Sequence, residues 1–159
     1  LDNVKLIRAD LQEANLYAAK LSYTDLTSAK LSHVDLSNAK LDDANLSNAD
    51  LSYAKLTGAN FNQANLTNAN MTEAKIDRAI LRQAILSKAD LSKADIRGSD
   101  LEHADLRNAN LREADLRGSD LQNANLIGAD LSGAKLDGAN LSDVTSDEST
   151  IFPDGYSLN

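Results

Sequence analysis

The sequence predicts an all-β solenoid, a chain wound into a coil with its small and aliphatic side chains inside. Three observations carry this. Every fifth residue from Leu1 to Leu141 is apolar: of these 29, 25 are Leu and the others are Phe61, Met71, Ile76 and Ile96. The residue two places before each next apolar one, from Val4 to Val144, is Ala in 23 of 29 cases, the exceptions being Val4, Thr24, Val34, Ser99, Ser119 and Val144. Between the two stands Asp, Asn or Lys in 26 of the 28 cases from Lys5 to Asn140, with Ile80 and Ile85 departing. The unit A-(D/N/K)-L-x-x runs without an insertion to about residue 145. A fixed period of this kind has to be read before any local propensity.

Geometry then excludes the simpler elements. Five residues advance roughly 500° around an α-helix, so the leucines would coat every face. Within a unit, Ala and Leu are two apart and point the same way, as in a strand. From Leu to the next Ala the step is three, which in a flat strand would turn the apolar side outward. The chain must turn a corner at the two x positions, which hold Ser, Thr, Asn, Asp, Gly and charged residues, many of them turn-tolerant.

The number of corners per circuit is read from longer echoes. DIRGSDL at Asp95 returns as DLRGSDL at Asp115, twenty residues later, and Gly58, Gly98, Gly118 and Gly138 fall in one column at multiples of that spacing. Arg82, Arg97 and Arg112 echo at fifteen instead, so four sides are favoured and three stay open. A-(D/N)-L-x-x in tandem resembles the pentapeptide repeat family over residues 1 to about 145. That resemblance implies a right-handed, four-sided parallel β-helix of about seven coils, roughly 34 Å long at ~4.8 Å per coil. Inside it, Leu51, Phe61, Met71 and Leu81 are expected in the core. Ser99 and Ser119 are expected to be buried in the Ala column, hydrogen-bonded to backbone carbonyls of their own corner or the adjacent coil. Ala64→Leu, beside Phe61, is expected to cost several times more stability than Ser52→Leu, with Ser52 taken as a surface position.

Residues 146–159 break the pattern. They carry the only Pro and two of the six aromatics, and Ile151, Phe152 and Tyr156 are expected to lie across the open coil end, with Pro153-Asp154-Gly155 as a turn. The F-P-D-G ending is similar to that of cyanobacterial members of the family. The chain begins at Leu1, in register and without Met, so the natural N-terminus is expected upstream. An end-to-end homodimer through the bare N-terminal coil is expected if nothing caps it.

Composition narrows the function. No cysteine is present and no apolar run is long enough to span a bilayer. A soluble protein is expected, cytoplasmic ahead of periplasmic or thylakoid-lumenal. The net charge of −8 argues against direct binding of nucleic acid through its phosphates. Residues 136–159 hold five acidic groups and no basic one. His33 and His103 fall at corners on opposite sides, too far apart for a dyad or a metal pair. Carboxylates in regular columns on convex faces build no water-excluding pocket. Neither catalysis, a metal nor a cofactor is expected. The function expected is a protein-interaction or scaffold module with an unknown protein partner. Its candidate contact is Ile80 and Ile85 with Arg78 and Arg82; Ile7, Tyr17, Tyr23, Tyr53 and Ile127 are scattered outward-facing apolar residues. The family resemblance implies an alternative, a DNA mimic binding a type II topoisomerase (gyrase), as quinolone-resistance members do.

Overall fold

The structure, a computed structural model, describes residues 1–156. The described residues contain no helix. One backbone course recurs in every unit from Leu6 onward. The carbonyl at the Leu position accepts the N–H of the Ala three residues on, as from Ala44 to Leu41 at 3.0 Å. The second of the two residues between them always has positive φ. These are 23 non-glycine residues from Asn3 to Asp143, at 53–61°, and Gly58, Gly98, Gly118, Gly128, Gly133 and Gly138, at 63–70°. A closing bond with a positive φ at the third residue marks a type II turn. Every corner is therefore left-handed, including those occupied by Tyr23, Arg78 and Lys93. Such residues incur about 1–2 kcal/mol of strain there.

A turn of this kind leaves one residue per unit, the Asp, Asn or Lys, in extended conformation to pair sideways. Twenty-five parallel bridges join these residues at a separation of twenty, from Lys5–Asp25 to Asn125–Thr145. Four units complete a circuit, so the square cross-section is decided. The arginine echo at fifteen places Arg82, Arg97 and Arg112 on three different corners.

The hydrogen bonds explain the polar letter of the unit. In the unit from Ala44 to Asn48, Ala44 closes the turn and Asn45 donates to Thr24 one coil back (2.9 Å). Leu46 donates to Asn65 (2.7 Å) and Asn48 to Thr67 (2.9 Å), both one coil ahead. Only the first corner residue, Ser47, has no backbone acceptor; its N–H donates to the Asn45 side chain, Oδ1, at 3.1 Å. All 19 Asp and Asn residues in the outward column, from Asp10 to Asn140, accept this bond from the residue two places on. The column is thus chosen for a short side chain whose Oδ1 reaches the N–H two residues on, the Asx arrangement.

Inside, the Leu positions from Leu21 to Leu131 are 0–1% exposed. Leu51, Phe61, Met71 and Leu81 belong to this core, Phe61 and Met71 on opposite sides of the square. Burying each Leu contributes about 1.5–3 kcal/mol, which offsets the corner strain. Hydroxyls in the Ala column turn to Leu-position carbonyls. Ser99 Oγ donates to Ile76 of the coil below (2.7 Å) and accepts from the Ala79 N–H (3.2 Å). Ser119 donates within its own corner to Leu116 (2.6 Å), and Thr24 reaches the Leu1 carbonyl (2.8 Å). Ser52 is not a surface residue: it is buried, as is Ser32 directly below it. The stacked coils cover a side chain that short.

Beyond Thr145 the register slips by one. Ile151 pairs with Asp130, twenty-one residues back, and its carbonyl accepts from Leu131 at 2.7 Å. Thr150 takes an Ala-column position and donates to the Leu126 carbonyl (2.9 Å). Phe152 packs against the core, and its ring stacks on Tyr156 with centroids 5.5 Å apart. The Pro153 carbonyl accepts the Tyr156 N–H at 3.0 Å, closing the turn at Asp154-Gly155. Ile151 does not lie across the coil end; it is half exposed on the outer ladder above Asp130. The reason is strand alternation, which sends residues 151 and 152 to opposite faces.

Two outcomes are expected from this packing. Gly118→Ala places its Cβ in open space yet at a φ of +67°, so it should lower stability by about 1 kcal/mol in chemical denaturation. A neutral result would mean the corner strain is relieved elsewhere. Ala64→Leu, in a fully buried position, should cost about 1–3 kcal/mol, and Ser142→Leu, at an exposed corner, close to nothing. Equal melting temperatures for the two variants would contradict an Ala-lined core.

Candidate interaction surface

The Asx pattern fails wherever the outward residue cannot accept a hydrogen bond. Lys donates only, and Ile does neither. Lys shares the polarity of Asp and Asn but has the opposite hydrogen-bonding chemistry, a difference the residue types themselves display. Ile80 and Ile85 stand in two outward columns, between Asn60 and Asp100 and between Asn65 and Asp105. Each is 40% exposed. They occupy adjacent sides of the square, with the Arg82 corner between them. Arg82 reaches into the next coil, pairing with Asp100 (3.1 Å) and with Glu102. Arg78, at the corner before Ile80, pairs with its neighbour Asp77 at 3.0 Å. The four candidate residues thus wrap two sides of one coil rather than forming a flat patch.

The remaining exposed apolar residues do not join them. Ile7, Tyr17, Tyr23 and Tyr53 lie on separate columns of the N-terminal coils, and Ile127 is half buried. Tyr53 stacks on His33 one coil below, centroids 5.0 Å apart. His103 sits on the opposite corner column, 3.5 Å from Glu102. Among the described residues no group of three or more His, Asp and Glu could hold a metal ion. No described helix is long and apolar enough to cross a membrane. Open depressions lie beside Tyr23, beside Arg97 and between Lys135 and Tyr156, with volumes of about 430, 340 and 410 Å³. In the depression beside Tyr23 the Ser22 hydroxyl donates to the Asp42 carboxylate at 2.9 Å, and no histidine lines any of the three.

The electrostatics are local. Arg97, Arg107 and Arg117 each fork onto the Asp two places earlier, with Nη2 to Oδ2 distances of 2.6 Å. These hydrogen bonds hold Asp95, Asp105 and Asp115 below the usual carboxylate range. Hydroxyls of Thr27, Ser37 and Ser132 do the same for Asp25, Asp35 and Asp130. The Tyr23 phenol is pushed up by the Asp43 carboxylate beside it.

The pattern described as pentapeptide repeats matches this chain in eight copies, over residues 1–32, 9–48, 29–68, 44–83, 64–102 and 104–143. The chain belongs to the pentapeptide repeat family. Its fold is similar to that of the pentapeptide repeat protein Rfr23 from the cyanobacterium Cyanothece 51142, with 39% identity and a TM-score of 0.58. That match covers 58% of this chain and 63% of Rfr23. A pentapeptide repeat protein from the Arabidopsis thaliana thylakoid lumen is 31% identical with a TM-score of 0.57, covering 58% of this chain and 64% of that one. This pentapeptide-repeat chain therefore spans less than two thirds of either. QnrB1, a plasmid-mediated fluoroquinolone resistance protein, shares the fold at 19% identity and a TM-score of 0.50, covering 93% of this chain and 89% of that one. No curated protein sequence matches.

The carboxylates give the solenoid a pH dependence with a defined sign. Their folded-state values lie below the unfolded one of about 4, so ionisation favours folding. That stability is complete above roughly pH 5 and lost as the pH falls through the lowered folded values. Melting temperatures should therefore drop between about pH 5 and 3, and Asp95→Asn, which keeps the side-chain acceptor, should shrink the drop. A flat profile would mean that the carboxylates are no better solvated folded than unfolded.

Proposed function

We propose that this chain is a non-enzymatic protein-interaction or scaffold module, a right-handed square solenoid of about seven coils closed at its C-terminal end by Phe152 and Tyr156. The supporting observation is the pair Ile80 and Ile85. In their columns an Asp or Asn would bind the corner N–H; an isoleucine there gives up that bond and exposes apolar surface. The lost hydrogen bond and the exposed apolar surface together support a binding role for the pair. Arg78 and Arg82 flank the pair and keep the surface soluble. The surroundings are convex and lack a concave, desolvated site of the kind chemistry on a small substrate requires.

A second reading, a DNA mimic acting on a type II topoisomerase, draws on the net charge of −8 and the fold shared with QnrB1. The stacked Arg–Asp pairs oppose it, because they neutralise carboxylates that a DNA mimic would present.

Two measurements separate these readings. A photoreactive residue at position 85 should give protein adducts in a cell extract, and one at position 45, on the same side two coils away, should not. Absence of adducts at both positions would discard the interaction module. Gyrase supercoiling should proceed unchanged with the chain present; inhibition would support the mimic.

A further inference from the structure

The coil from Lys75 to Ala94 differs from the rest of the solenoid in charge and in hydrogen bonding. It holds five basic groups against two acidic, a net of +3, while the rest of the chain holds 11 against 22, a net of −11. Lys75, Lys88 and Lys93 enter no ion pair among the described residues. Its first three outward residues are Lys75, Ile80 and Ile85, none of which accepts a hydrogen bond. The N–H groups of Asp77, Arg82 and Ser87 consequently have no acceptor among the described residues, although their counterparts in the 19 Asp and Asn units all do. Elsewhere a Lys interrupts the outward series singly, with Asp or Asn in the units on either side. Among the described residues no other run of three consecutive corners goes without.

These features coincide on three successive corners of one coil. Free lysines bracket the stretch at Lys75 and Lys88, the exposed isoleucines lie between, and the three N–H groups stand at the corners where Asx acceptors are missing. We propose that this half-girdle docks an acidic, extended segment of a partner protein. The inference rests on the interaction-module reading and names the partner's chemistry. Carboxylate and carbonyl oxygens of the segment would occupy the acceptor positions that Asp and Asn fill in other units. Its apolar side chains would cover Ile80 and Ile85, and its negative charge would meet Lys75 and Lys88. The band is one coil, ~4.8 Å, thick. A nucleic acid, with duplex charge every ~1.7 Å, would run past it onto the following coil, residues 95–114, which holds five acidic groups against three basic. A short acidic segment following the coil direction avoids that repulsion.

The test uses the whole chain, labelled for amide NMR, and a synthetic decapeptide of alternating Glu and Val. The amides of Asp77, Arg82 and Ser87 should shift saturably, and a Lys-Val peptide should leave them unmoved. Ile80→Asp with Ile85→Asp supplies two of the missing acceptors from within the chain. This double variant should melt no lower than the parent and bind the Glu-Val peptide at least an order of magnitude more weakly. Lys75→Glu with Lys88→Glu should also weaken binding while the amide spectrum elsewhere is preserved. Unmoved amides in the parent, or equal affinity in the Ile80→Asp, Ile85→Asp variant, would overturn the proposal. So would single-stranded DNA shifting these amides where the peptide does not. Photo-adducts at position 85 without peptide binding would overturn the acidic-segment assignment alone and leave the interaction module standing.

Discussion

A tight turn closed every five residues is the constraint on which the rest of this molecule depends. The turn directs Leu and Ala to the same interior although three residues separate them along the chain. It demands positive φ at its third residue, and the chain meets that demand 29 times in succession, 23 of them without glycine. An isolated turn of this kind would not hold a Tyr, Arg or Lys in the left-handed region. Here the next coil fixes every corner from Asn3 to Asn123 through the N–H of the strained residue itself, as Arg78 donates to Arg97 at 2.9 Å. Local strain is stable because the lateral ladder and the buried leucines are cooperative along the axis, as expected of a one-dimensional stack.

From that turn follows the meaning of the polar letter. Four of the five backbone N–H groups in a unit are consumed by the turn and the two flanking coils. The fifth points outward, and Asp or Asn in the preceding outward position satisfies it. The same side chain is then available for a second contact: Asn70 donates to Asp50 at 3.1 Å, and Arg97 forks onto Asp95. Outward columns are therefore part of the fold, not merely its solvated surface. Where they hold Lys or Ile, the fold gives up a hydrogen bond, and such positions are where a binding role has physical room to act.

The C-terminal segment shows how little the solenoid tolerates a change of register. One added residue before Ile151 is absorbed between Thr145 and Thr150, and the ladder resumes with Ile151 on Asp130. The shift keeps strand alternation intact, so Phe152 enters the Leu column and Ile151 cannot. Phe152 then packs against the core, with its ring stacked on that of Tyr156.

The period of five determined much of this from the letters alone. It placed Leu and Ala inside, located Phe61, Met71, Ser99 and Ser119 in inward columns, and singled out Ile80 and Ile85 as departures. Those features depend only on spacing and polarity, which the sequence displays directly. The choice of four sides needed the bridges at a separation of twenty, since echoes at fifteen and twenty coexist in the letters. The left-handed corners were invisible because residues such as Lys93 and Tyr53 carry no mark of positive φ; the stack imposes it. Burial of Ser52 came from the side chains of adjacent coils, and the outward direction of Ile151 from a one-residue slip that spacing did not reveal. The sequence distinguished inside from outside. Which outward N–H groups go unanswered became visible only when each corner could be paired with the side chain two residues before it, because a hydrogen bond is decided by direction as well as by residue type.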